Sequence, residues 1–366
     1  MTKERDPRQI RKACSRSLMG HYPQSLAGIL HELAETVRAD ESPDVYGAGN
    51  IIRDFEAEVA QLLGKEAAVF MPSGTMCQPI ALRIWTDRRH LPRVGYHPTS
   101  HLELHEFQGL QRLHGLETVL IGSPYQLLTL DDLKAVAEPL GALLLELPQR
   151  EIGGQLPSWD ELTAITGWAR EHNIATHLDG ARLWECKPYY QREYAEIAGL
   201  FDSVYVSFYK SLGGISGAVL AGPADMVAEA RIWQRRQGGN LYQLYPYVLA
   251  ARKGLAERLP RMQAYHEKAV AIAAALSVFP QIEILPAVPQ THMMHVFMRG
   301  DREQLVESAL DIAEETGTWL FGSLSPTQLP AYQKFELSVG DASLDMSTDE
   351  IVSLFEKVFA QVEAAR

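Results

Sequence analysis

Cysteine is scarce in this chain. Cys14, Cys77 and Cys186 are the three present among 366 residues, and their separations suit no metal site. So sparse and odd a set fits a reducing compartment better than a disulfide scaffold. Long apolar runs are missing too: none approaches the ~20 residues needed to cross a bilayer. The opening Met1-Thr2-Lys3-Glu4-Arg5-Asp6 is charged and lacks the apolar stretch of a secretion signal. A soluble, cytoplasmic protein is the expectation. Excess positive charge is also absent. The net charge of −12 argues against nucleic acid or an anionic membrane as the main partner. One locally basic stretch, Arg231-Ile232-Trp233-Gln234-Arg235-Arg236, reads as a solvated helix face. Gly47-Ala48-Gly49 lacks the third glycine of a dinucleotide-binding turn and follows no clear strand, which disfavours a nucleotide-dependent oxidoreductase.

What is present is apolar material in a regular order. At 46% apolar content the chain can bury a large core, and its length suits one large domain with a smaller companion. Leu26, Ile29, Leu30, Leu33 and Val37 form one stripe of a helix predicted over about 24–39. A glycine-rich break over 44–50 precedes a second helix carrying Ile51, Phe55, Val59 and Leu62. Strand and helix then alternate, with strands predicted at 67–71, 118–121, 142–147, 174–178, 203–207 and 217–222. Such alternation implies a mainly parallel sheet buried on both faces, with ligands held beyond the carboxyl ends of its strands. Ser158-Trp159-Asp160-Glu161 and Ser347-Thr348-Asp349-Glu350 are capping patterns that open two of the helices. A long helical stretch is predicted over about 243–278. Beyond it, strands near 283–285, 292–298 and 335–339 bracket a helix at about 302–317. The expected organisation is an N-terminal segment 1–43, a large α/β domain 44–254 and a small α+β domain 255–366.

The chemistry concentrates at two strand ends. Asp179 closes the run Thr176-His177-Leu178-Asp179-Gly180-Ala181-Arg182, and Lys210 follows the next strand within Ser207-Phe208-Tyr209-Lys210-Ser211-Leu212-Gly213-Gly214. A carboxylate and an amine so presented suit pyridoxal 5′-phosphate (PLP). The amine would hold the aldehyde as a Schiff base, and the carboxylate would pair with the pyridinium nitrogen. Each residue alone has a bland alternative, an ordinary lysine at a strand end and a helix-capping aspartate. Ser73-Gly74-Thr75 lies between a strand and a helix, where backbone N–H groups and hydroxyls make an anion site, or merely a capped helix. Ser207 could add a hydroxyl to the same phosphate. Arg182 is a surface charge or, pointed into the cleft, a fork for a carboxylate or for cofactor oxygens. His101 is a structural histidine or a ring that stacks on the pyridine.

These residues together resemble the threonine aldolase and aromatic β-eliminating lyase group of fold-type I PLP enzymes. The similarity runs through Asp44-Val45-Tyr46-Gly47, the stretch from Leu63 to Met76, Ser100-His101, Glu106, Leu145-Glu146, Gly153-Gly154, 177–182 and Lys210-Ser211-Leu212-Gly213. It implies an α/β fold with a mainly parallel, seven-stranded-type sheet flanked by helices, plus a smaller α+β C-terminal domain. It further implies Lys210 as the Schiff-base lysine, Asp179 as the pyridinium partner, His101 stacked on the ring, and Gly74 and Thr75 on the phosphate. Arg182 would hold the substrate carboxylate, with Ser17 beside it, and the enzyme would be a homodimer or homotetramer with sites at the subunit boundary. Departures are visible. Gln149 stands where the family has a histidine that contacts the substrate hydroxyl, and an amide cannot act as a base near neutral pH. Tyr242-Gln243 follows Gly238-Gly239 where the family has Arg-Gln. Glu336 falls where the family has a carboxylate-binding arginine, and an acid there would repel a carboxylate unless Lys334 or Arg182 compensates. The leading expectation is aldol cleavage of a β-hydroxy-α-amino acid to glycine and an aldehyde, its base open among His101, His105 and water. β-Elimination and transamination are the competing reactions, and a PLP-binding regulatory protein is the non-catalytic alternative.

Overall fold

Apolar runs without alternation make the central strands, because both of their faces are covered. The computed structural model describes residues 5–364; Met1-Thr2-Lys3-Glu4, read above for their charge, lie outside them. Strand β1 (Arg16–Ser17) is short and is placed below. The main sheet comprises β2 (Ala67–Met71), β3 (Arg93–Tyr96), β4 (Glu117–Leu120), β5 (Ala142–Glu146), β6 (Ala175–Gly180), β7 (Ser203–Ser207) and β8 (Ala218–Gly222). Their spatial order is β2-β8-β7-β6-β5-β3-β4. Strands β3 to β7 run parallel, joined by helical crossovers. Strand β8 returns antiparallel to β7, since the connection over 208–217 is too short for a parallel crossover. β2 is antiparallel to β8 in turn and closes that edge. The expected α/β fold with a mainly parallel sheet therefore holds, with one strand, β8, reversed and β2 running with the others.

Contacts divide the chain into two compact units, one Ala27–Pro260 and the other Met1–Leu26 with Arg261–Arg366. The expected divisions after residues 43 and 254 both fall inside the first of these, the latter within the helix Tyr245–Arg258. The unit Ala27–Pro260 holds the seven-stranded sheet. Its core includes Val69, Ile80, Leu82, Ile84, Val94, Leu144 and Leu220, from helix and sheet together. The other unit carries an antiparallel sheet built from β9 (Ile282–Leu285), β10 (Met293–Arg299), β12 (Ser325–Pro326) and β13 (Tyr332–Ser338). There β1 pairs in parallel with β11 (Thr318–Trp319). Ser347 caps the last helix, Thr348–Ala364, by accepting from Glu350 N at 3.1 Å.

Two local differences from the expected elements have plain causes. β3 is not anticipated because Arg93-Val94-Gly95-Tyr96 is short and contains glycine, a poor strand former. A Cβ at Gly95 would lie 2.6 Å from Ile121 Cδ1 and 2.9 Å from Leu140 Cδ1, so glycine is what lets those side chains pack against the sheet. The single long helix expected over about 243–278 is instead two, Tyr245–Arg258 and Met262–Leu276, separated by Leu259–Arg261. Pro260 lacks the N–H that a continuous helix would use there. Among the described residues, no helix is long and apolar enough to cross a membrane.

Candidate active site

The register of the parallel strands decides which side chains meet. Glu146, at the end of β5, is paired with Asp179 at the end of β6, and Asp179 in turn with Tyr205 of β7. Asp179 is 1% exposed. Its Oδ2 accepts a hydrogen bond from Gln78 Nε2 at 2.8 Å, and its Oδ1 accepts one from Ala181 N at 3.0 Å. Gln78 belongs to the helix Gly74–Arg89, one turn beyond its start. Lys210 sits in the turn after β7, where its carbonyl accepts from Gly213 N at 3.0 Å. Burial lowers the pKa of the Lys210 amine, and the Arg182 cation adds to the effect; Asp179 and Glu146 act against it. A desolvated amine of this kind is more readily the neutral nucleophile.

Glu146 completes an alternating cluster of charge. Its carboxyl is pushed up to about 7, first by the protein packed around it and then by the neighbouring Asp179 charge. The residue keeps intermediate surface exposure, so the like charge matters alongside burial. Gln149 Nε2 donates to Thr99 Oγ1 at 3.1 Å and to Glu146 Oε2 at 3.4 Å. Arg182 Nε lies 3.7 Å from Glu185 Oε1, which also accepts from the Ser211 hydroxyl. A second cluster forms around two histidines. His101 Nδ1 is 2.9 Å from Glu106 Oε1, and His105 Nε2 is 2.9 Å from Glu151 Oε1. The two imidazoles are 5.1 Å apart, centre to centre. Burial raises the Glu106 pKa, opposed by its hydrogen bond to His101; the Asp179 and Lys210 charges both reach it, so the clusters are electrostatically joined.

Ser73 precedes the helix Gly74–Arg89 without capping it through its side chain, so the first-turn N–H groups lack that partner. Thr75 is exposed there. A Cβ at Gly74 would lie 1.8 Å from the Tyr205 hydroxyl, so no larger residue fits. The Ser207 hydroxyl donates to Ala181 O at 2.7 Å, which commits its proton within the protein. Asp179, Arg182, Lys210, Ser207, Gln149, His101 and the 73–75 turn thus all belong to the unit Ala27–Pro260. Ser17 and Glu336 belong to the other. Ser17, 5% exposed, donates to Met19 O at 2.8 Å. Glu336 stands opposite His295 in the β10–β13 ladder and lines a cavity of about 540 Å³ with Lys334, Arg8 and Arg11. Gln78 and Glu146 were not singled out from sequence for the site. Gln78 lies four residues after Gly74, the spacing that repeats a helix face, and Glu146 ends a strand as Asp179 does.

The donor set fits PLP: a buried carboxylate pinned by two N–H groups, a partly desolvated amine, and an uncapped helix start flanked by hydroxyls. A model of the beta-eliminating lyase family matches residues 30–299. The chain belongs to that family. It is a PLP-dependent lyase. A solved structure from Listeria monocytogenes EGD-E, provisionally named an L-allo-threonine aldolase, is 43% identical over 98% of this chain and 99% of that one, with a TM-score of 0.91. Low-specificity L-threonine aldolase 1 of Arabidopsis thaliana is 27% identical over 77% of this chain and 81% of its own length. The low specificity L-threonine aldolase of Escherichia coli K12 is 30% identical over 67% of this chain and 74% of its own length.

The lyase's Glu146 has a measurable signature. Between its ordinary value of 4.5 and about 7, the folded chain holds a proton that the unfolded chain has released. Folding stability from this group therefore falls as pH rises through that window. Glu146→Gln removes the titration. Calorimetry of the cofactor-free chain at pH 5 and pH 8 is expected to show a smaller drop in Tm for the variant than for the parent. Equal drops would contradict the assignment.

Proposed function

We propose that this lyase cleaves the Cα–Cβ bond of a β-hydroxy-α-amino acid, giving glycine and an aldehyde. What supports this most is the buried Asp179 carboxylate within electrostatic reach of the partly buried Lys210 amine, in a family member 43% identical to the Listeria protein. Bound here, PLP would supply an electron sink for the breaking bond. Lys210 would hold the cofactor aldehyde carbon, and Asp179 the pyridinium N–H. The N–H groups of Gly74 and Thr75 would take the phosphate, with Ser73 and Ser207 beside them, and the His101 ring would stack on the pyridine with its tilt set by Glu106. The Arg182 guanidinium would take the substrate carboxylate.

The β-hydroxyl proton needs a base. Gln149 supplies only a hydrogen-bond donor or acceptor. His105, adjacent to His101 and oriented by Glu151, has the chemistry for that step. The proton would leave the hydroxyl for the imidazole as the Cα–Cβ bond breaks, the aldehyde would depart, and Cα would regain a proton to give glycine. Incubation with threonine, phenylserine and serine distinguishes the reactions. Glycine and the matching aldehyde are expected from the first two; a keto acid as sole product would replace this reading with β-elimination or transamination.

The sparse, buried thiols of Cys14, Cys77 and Cys186 fit a reducing cytoplasm. Leu104, Phe107 and Leu113 are exposed beside the His101 segment, Phe107 to 96%, which supports pairing with a second copy as a homodimer or homotetramer. Sedimentation measures that assembly directly.

A further inference from the structure

Gln78 takes no part in the roles assigned so far, yet it is 2% exposed and its side chain ends on the Asp179 carboxylate. An aspartate carboxyl has a soft terminal torsion, so one donor leaves its plane free to turn. Two donors on different oxygens fix it. Here Ala181 N–H holds Oδ1 at 3.0 Å and Gln78 Nε2 holds Oδ2 at 2.8 Å. Gln78 Oε1 is buried with no hydrogen-bond partner among the described residues. Exchanging the two amide ends would set that oxygen against a carboxylate oxygen, both of them acceptors, so only the observed orientation is attractive. The orphaned oxygen carries a desolvation cost that the bond to Asp179 must offset.

We propose that Gln78 is a positioning residue which aims the Asp179 carboxylate at the cofactor's ring nitrogen, and so sets how firmly that nitrogen keeps its proton. The inference rests on the cofactor reading given above. Because Gln78 sits four residues beyond Gly74, a single helix, Gly74–Arg89, presents both the uncapped N–H groups and the amide that fixes Asp179. The helix thereby acts as a rigid spacer between the two ends of the ring system.

Gln78→Leu keeps the volume and removes the N–H. Titrating cofactor-free protein with PLP is expected to show a tenfold to hundredfold weaker Kd, about the scale of a hydrogen bond to a charged group. The pH midpoint of the bound cofactor's visible band is expected to move by about one unit, the shift equivalent to about 1.4 kcal/mol. kcat is expected to fall more than KM rises. Gln78→Met gives the same readouts if the leucine variant does not fold, and circular dichroism of the cofactor-free proteins confirms the fold. A Kd and a band midpoint equal to the parent's overturn the role of Gln78 alone. A parent protein that takes up no PLP overturns the cofactor reading itself, so the two failures are distinguishable.

Discussion

Lys210→Ala is expected to lower kcat/KM for glycine release by roughly 10⁴-fold or more, towards the ~10⁶-fold scale of losing a covalent nucleophile. The argument begins with the amine's surroundings. Burial and the Arg182 cation both pull its pKa down, and the Asp179 and Glu146 carboxylates restore only part of the shift. A surface lysine would be almost wholly protonated at neutral pH and a poor nucleophile. The environment at 210 enlarges the neutral fraction that can attack an aldehyde carbon. Alanine removes that nucleophile and leaves the turn standing, because the bond from Gly213 N is to the backbone carbonyl of residue 210. The Tm of the cofactor-free variant should equal or exceed the parent's, since a partly desolvated cation has been deleted. Gel filtration should strip PLP from the variant and not from the parent. Turnover within tenfold of the parent would remove Lys210 from the centre of the mechanism.

Asp179→Ala is expected to be the second most damaging change, and by a different route. It orphans two buried donors, Gln78 Nε2 and Ala181 N–H, each at a cost of about 1–3 kcal/mol. Asp179→Asn separates charge from shape, because one amide oxygen remains to accept while the negative charge is gone. Both variants should lose activity by at least roughly 10²–10³-fold, the scale of removing one preorganised electrostatic partner. Glu146 provides an internal reporter. The Asp179 charge helps hold the Glu146 carboxyl near 7, so either variant should move the pH dependence of stability toward the ordinary carboxylate range. Unchanged activity in Asp179→Asn would show that the carboxylate's charge has no part in catalysis.

Much of this architecture was legible in the sequence because the buried strands are written as unbroken apolar runs. Ala142-Leu143-Leu144-Leu145 has no polar face to misplace, and each of these residues is at most 8% exposed. The carboxyl-edge rule then put Asp179 and Lys210 on one rim without any distance being known. What stayed hidden depends on register and on turns. β3 is four residues long and its glycine exists for Ile121 and Leu140, which lie far along the chain. Glu146 became part of the site only once β5 and β6 were aligned residue against residue. Gln78 had the spacing of a face-sharing residue, but nothing local revealed that a carboxylate lay opposite. Ser207 illustrates the reverse: a hydroxyl well placed by sequence has its proton committed to the Ala181 carbonyl.

The close approach of Gly74 to Tyr205 ties the two positions together. The ring hydroxyl occupies the space into which any side chain at 74 would grow. A larger residue at 74 therefore requires a smaller one at 205. A side chain at 74 and the tyrosine at 205 are thus mutually exclusive, and a change at one is coupled to a change at the other.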